Sequence, residues 1–225
     1  ATLEQLLPNS SQRGDYQRAT TADREAIERL FERALRTDTD LNELRSAWNR
    51  IGWELRVLGP ASRPIWLIQE APGHDRGYGY YAFRPSEPPS ILLQAPHSFA
   101  DRHTGKLARQ LFEEGASVAA CWNSLHRRTV DPAHTEDHPF NVFLRAILAT
   151  HPQIQVVQIH GFSTTKRKTR AGRTSHLILS NGTALPDCRT RDAADRFAEA
   201  FPDHRTRLFP TSVRELGGTT NAQGV

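Results

Sequence analysis

Ile91-Leu92-Leu93-Gln94-Ala95-Pro96-His97-Ser98-Phe99-Ala100-Asp101-Arg102-His103-Thr104-Gly105 is the stretch whose reading decides the fold. A short apolar run, Ile91–Ala95, has the length of a buried strand, and Pro96 stops it. Thr104-Gly105 then opens the run 105–114, with Leu107, Ala108, Leu111 and Phe112 at helical spacing. A second strand is expected over Ser117–Trp122. Strand, helix and strand within about thirty residues form a crossover unit, the connection that parallel strands require.

Outward from this stretch the alternation continues. Helix 139–149 (Phe140, Phe143, Leu144, Ile147, Leu148) precedes strand Ile154–Ile159. Strand His176–Ser180, helix Arg191–Phe201 and strand Arg205–Phe209 close the chain. Towards the N-terminus the period differs. Trp53–Leu58 and Ile65–Glu70 flank the turn Gly59-Pro60-Ala61-Ser62, and the aromatic run Tyr78–Arg84 ends at the break Pro85–Pro89. This opening, with Ile91–Ala95, reads as consecutive antiparallel strands. Residues 1–19 read as irregular. Two helices follow, from Thr20 and from about Asp40, with Ile27, Leu30, Phe31, Ala34 and Leu35, then Leu41, Leu44, Ala47, Trp48 and Ile51, on their apolar faces. The expected fold is α/β: three α/β/α layers with a mixed, mostly parallel central sheet, preceded by an N-terminal helical segment. Residues 1–52 are expected to pack on one α/β domain, 53–225.

Composition narrows the function classes. The 225 residues are 37% hydrophobic and 24% charged with a net charge of +4, an ordinary globular balance. Such a length buries enough surface for a core without metal or disulfide staples. No run reaches the ~18 apolar residues of a membrane span. Two cysteines exclude a Cys-rich zinc ribbon, and pairing of Cys121 with Cys188 stays open. A chain opening at Ala1 without Met is expected to have lost a secretory signal, which points to the periplasm or the exterior; a cytoplasmic location also stays open. The basic excess concentrates in Lys166-Arg167-Lys168-Thr169-Arg170-Ala171-Gly172-Arg173. No aromatic residues interleave with it, so it reads as a solvated or anion-recognising loop and no nucleic-acid partner is expected.

Ten histidines remain to be placed. His97 and His160 each follow a predicted strand, and sites in open α/β sheets form outside the carboxyl ends of strands. Two imidazoles and the carboxylate of Asp101 make a three-ligand set that leaves one position of a zinc ion for water. His103 is the rival third ligand. The loop 126–138, with His126, Arg127, Arg128, His134 and His138, sits after another strand end. Its prolines exclude a regular helix and hence the zinc-protease helix motif. Arg127 or Arg128 suits bidentate binding of a substrate carboxylate, with His134 nearby in sequence. Glu215, after the last strand, is the expected proton acceptor, and Glu70 the alternative. Serine and cysteine catalysis lack their sequence contexts, and no phosphate-binding glycine pattern occurs.

Pro96-His97-Ser98 with Asp101 and Thr104-Gly105, followed by Ile159-His160-Gly161-Phe162, resembles the zinc carboxypeptidase-like hydrolases. Within them the chain looks most like the N-formylglutamate amidohydrolase and poly-γ-glutamate hydrolase group. The resemblance covers roughly residues 53–225 and implies one zinc on His97, Asp101 and His160, with Glu215 as the late catalytic glutamate. Two features depart from carboxypeptidases proper. Their glutamate follows the first His by three residues, whereas Asp101 follows by four. Their Asn-Arg substrate pair has only loose counterparts in Asn123 and Arg127. The expected activity is hydrolysis of an amide bond in a small acidic, glutamyl or cell-wall-type peptide or N-acyl amino acid. An ester or acyl hydrolase with the same site, or a non-catalytic anion-binding module, is the alternative.

Overall fold

The computed structural model describes residues 2–8, 10–12, 14–36, 39–85, 87 and 90–222. Ser86, Pro88 and Pro89 of the expected break lie outside the described residues. The fold is α/β. The chain divides into two compact units, Ala1–Gly161 and Phe162–Val225, so the boundary expected after residue 52 falls inside the first.

In the first unit, β1 (Trp53–Leu58), β2 (Ile65–Glu70), β3 (Tyr80–Phe83), β4 (Ile91–Ala95), β5 (Ala119–Trp122) and β6 (Gln155–Gln158) form one sheet in the order β1-β2-β3-β5-β4-β6. The sheet is mixed, as expected, but antiparallel pairings outnumber parallel ones. The first three strands are joined by connections too short for a crossover, so they run antiparallel, and β5 pairs antiparallel to β3. The expectation that β4 extends the antiparallel series is corrected: β5 lies between β3 and β4. The crossover helices α4 (Thr104–Glu113) and α5 (Pro139–Thr150) make β5, β4 and β6 parallel.

Strand alternation divides the core between two faces. On one face Trp53, Ile68, Tyr81, Phe83, Leu92 and Cys121 meet α5 and the helices α2 (Thr21–Ala34) and α3 (Leu41–Arg50). Helix α2 starts at a reciprocal cap between Thr20 and Asp23, and α3 at Asp40, whose carboxylate accepts from the N–H groups of Asn42 and Glu43. Phe31 on α2 is fully buried, with ring contacts to Trp48, Trp53, Tyr81 and Phe143. On the opposite face Leu67, Tyr80, Ala82, Leu93 and Trp122 pack with Ala108 and Phe112 of α4 and with Leu3 of the one-turn helix α1 (Leu3–Leu6). Helices thus cover both faces, and the parallel strands β4 and β5 are almost wholly buried, whereas the edge strand β6 is partly exposed.

In the second unit, β7 (Leu177–Leu179) and β8 (Thr206–Leu208) pair in parallel as a separate two-stranded sheet. The helix α7 (Cys188–Ala200) connects them, and α6 (Arg170–Thr174) precedes them. Both cysteines are free, Cys121 buried and Cys188 exposed.

Candidate metal centre

Parallel pairing brings the carboxyl ends of β5, β4 and β6 side by side, and polar residues lie in the turns that leave them. After β4, the carbonyl of His97 accepts from the N–H groups of Ala100 and Asp101 at 3.0 and 2.9 Å. The Thr104 hydroxyl donates to the Asp101 carbonyl at 3.0 Å. This single turn folds the Asp101 side chain back towards His97, with 3.0 Å between His97 Nδ1 and Asp101 Oδ2. From beyond β6, His160 Nδ1 comes to 3.1 Å of His97 Nδ1 and 3.7 Å of Asp101 Oδ2. The Gly161 N–H donates to the same carboxylate oxygen at 2.9 Å. A Cβ at position 161 would lie 3.0 Å from Asp101 Cβ, so glycine permits this approach.

The three donor atoms fit a metal. Tetrahedral zinc with bonds of ~2.0–2.1 Å sets its donor atoms ~3.3 Å apart. The separations here, 3.0, 3.1 and 3.7 Å, bracket that value. Two imidazole nitrogens with lone pairs facing each other need a proton or a cation between them. Two nitrogens and one carboxylate oxygen are ligands that zinc takes.

Each imidazole is also held from behind. His97 Nε2 lies 2.9 Å from Asp131 Oδ1, and His160 Nε2 lies 2.6 Å from Gln158 Oε1. An acceptor on the far nitrogen fixes the ring and leaves the near nitrogen free to ligate. Asp131 is itself fixed by the Ala133 N–H at 3.1 Å and by Arg127 Nη2 at 3.2 Å.

Burial opposes charge on His97, which is only 2% exposed, but its two carboxylate partners together raise its pKa. Burial also pushes the Asp101 and Asp131 carboxyls up. For Asp101 that push is outweighed by His160, His97 and the Gly161 N–H, which hold it far below the usual carboxylate range. For Asp131, His97 and Arg127 hold the carboxyl low. Two anionic carboxylates therefore flank His97, a field that favours a cation.

The residues read from sequence as substrate-binding fare differently. Arg127 stands beside the centre, bridging Asp131 and, at 3.6 Å, Asp101 Oδ1, with 42% of its side chain exposed. His134 is exposed, and its backbone N–H donates to the Asp131 carbonyl at 3.0 Å. Arg128 is exposed, and its N–H closes a turn on His126. Asn123 is fully buried and uses both ends of its amide on Leu125. His103 is the left-handed cap of α4, outside the converging set. With Ser98, Phe99, Tyr80, Lys106 and Trp122 it lines a cavity of about 320 Å³.

Of the two proton-acceptor candidates, Glu70 is buried and accepts from Arg76 and from the N–H groups of Gly77 and Tyr78. Glu215 lies in the second unit. It accepts from the Thr169 hydroxyl and from the N–H groups of Thr169 and Lys168, and these bonds lower its pKa to about 2. Such a carboxylate is a weak base near neutrality.

Asp131 and Gln158 were not singled out from sequence. Gln158 precedes His160 by two, the spacing that puts two strand residues on one face. Asp131 carries the weaker signal of an acid within a cationic loop at a strand end. No family model, curated protein or solved structure matches this chain, so the reading of this centre stands on its geometry.

Proposed function

We propose that the first unit is a zinc-dependent hydrolase that cleaves an amide bond in a small acidic peptide or N-acyl amino acid. The observation that carries this reading is the convergence of His97 Nδ1, Asp101 Oδ2 and His160 Nδ1. These three residues would hold the ion. When bound, zinc supplies Lewis acidity at a carbonyl oxygen and acidifies water near neutral pH.

The chain's own residues set up the rest. Asp131 holds the proton on His97 Nε2, which keeps Nδ1 available as a ligand. Arg127 offers its exposed guanidinium N–H groups to a substrate carboxylate, a bidentate match that favours acidic substrates. Arg128 lies on the same loop and adds positive charge there, and His134 is exposed on it. We assign Glu215 to anchoring the segment 166–173 rather than to proton transfer, because its oxygens already accept three hydrogen bonds.

A panel of N-acyl amino acids, glutamyl peptides and matched esters tests the reaction class with the zinc-loaded protein. The account expects hydrolysis of acidic amides, loss of that activity in His160→Ala, and weaker KM in Arg127→Ala. Turnover of esters alone would move the assignment to an acyl-ester hydrolase, and activity unchanged in His160→Ala would remove it.

One observation favours a second reading for the other unit. Residues 162–186 contain five Lys+Arg and no Asp or Glu, and Lys166, Lys168, Arg170 and Arg173 are exposed. This segment suits an anionic polymer, bound with a strong salt dependence.

A further inference from the structure

We infer that Gln94 and Gln158 form a relay that sets the tautomer of His160, making both positioning residues for the metal centre; this rests on the metal-site reading above. Gln94 is the fourth residue of β4, fully buried, and Gln158 is the last residue of the neighbouring strand β6. The two are register partners in the parallel pair. Gln158 Nε2 donates to Gln94 Oε1 at 3.2 Å, which turns Gln158 Oε1 towards His160 Nε2 at 2.6 Å.

An amide offers donors at one end and an acceptor at the other, so its orientation decides what the imidazole meets. With Oε1 towards the ring, His160 must carry its proton on Nε2, and the Nδ1 lone pair is left to face His97 and Asp101. With the amide reversed, Nε2 of His160 would become the acceptor and Nδ1 would carry the proton, which closes it as a ligand.

The surroundings of Gln94 fit the inference. Its Oε1 accepts from Gln158, and its side chain also meets the thiol of Cys121, its register partner in β5. The amide of Gln94 is thus held between the core and the amide that faces His160. His97 is held differently: a carboxylate, Asp131, which has no donor to present, stands behind its Nε2.

The test uses the full chain and three variants. Zinc affinity is measured by chelator competition, the His160 tautomer by imidazole ¹⁵N shifts of the metal-free protein, and folding by thermal melting. Gln158→Met is expected to weaken zinc about 10–100-fold, the range for losing the outer partner of a ligating imidazole. It is also expected to mix the two His160 tautomers. Gln158→Glu, which can only accept while ionised, should restore wild-type or tighter affinity and a single Nε2–H form. Gln94→Met should weaken zinc and mix the His160 tautomers as Gln158→Met does, a pairing that a merely structural role would not produce. Wild-type zinc affinity in both methionine variants would overturn the relay, as would an unchanged tautomer in Gln158→Met. A wild-type chain that binds no zinc would overturn the metal-site reading instead, while the ¹⁵N shifts still decide the relay.

Discussion

His97 and His138 are both buried histidines of the first unit, one just beyond the end of β4 and one capping α5, yet their surroundings act in opposite directions. His97 sits between two carboxylates, which raise its pKa despite burial. His138 lies against a peptide carbonyl and the Tyr16 ring; it donates from Nε2 to the Gly77 carbonyl at 3.1 Å and caps α5 by accepting the Phe140 N–H at 3.0 Å. Burial lowers its pKa to about 4. Burial alone therefore does not mark a functional histidine. What distinguishes His97 is the company of anions and a second imidazole, a set that folding has no need to assemble and a cation would complete.

That contrast makes its largest prediction for His138. In the unfolded chain its pKa is ~6.5 and in the fold about 4, so folding favours the neutral ring. The resulting stability is fully present above pH ~6.5 and disappears as pH falls towards 4, a loss of about 3 kcal/mol over that interval. Urea unfolding between pH 7 and 4 measures it. His138→Asn keeps a capping acceptor without a titratable ring and should flatten the slope over that interval; an unchanged slope would break the contrast.

A smaller effect is expected behind His97. Asp131→Asn replaces an obligate acceptor with an amide, and should weaken zinc about 10–100-fold while leaving the number of ions bound unchanged. If affinity stays at the wild-type level, the carboxylate behind His97 is only part of the loop's own hydrogen bonding. The smallest effect should come from Glu215→Gln. As an anchor, Glu215 should give up local order, read as faster proteolysis within residues 166–173. Its removal should show none of the ~10²–10⁴-fold loss in kcat that removing a general base causes.

The sequence is legible where the information is local. The run Ile91–Ala95, Pro96 and the helical spacing after Thr104 place His97 at a strand end, and the apolar run before His160 does the same there. The turn that brings Asp101 back to His97 is a four-residue spacing visible in the chain itself. Strand order is not local: whether β4 pairs with β3 or lies beyond β5 depends on packing across the whole sheet. Gly59 with its short connection made the β1–β2 hairpin readable, whereas the placing of β7 and β8 in their own sheet has no comparable signal. Asp131 and Gln158 were obscured for a related reason. An aspartate before proline in a polar loop and a glutamine at a strand end are common on surfaces, and only the folded chain puts them behind two imidazoles.

The most direct measurement is the metal content of the purified chain after equilibration with zinc and removal of excess, compared between wild type and His160→Ala. The account predicts one ion per wild-type chain, and none in His160→Ala, with the circular dichroism of the two proteins unchanged. Absence of stoichiometric zinc in the wild type, or equal zinc in the variant, would contradict a metal centre built from His97, Asp101 and His160.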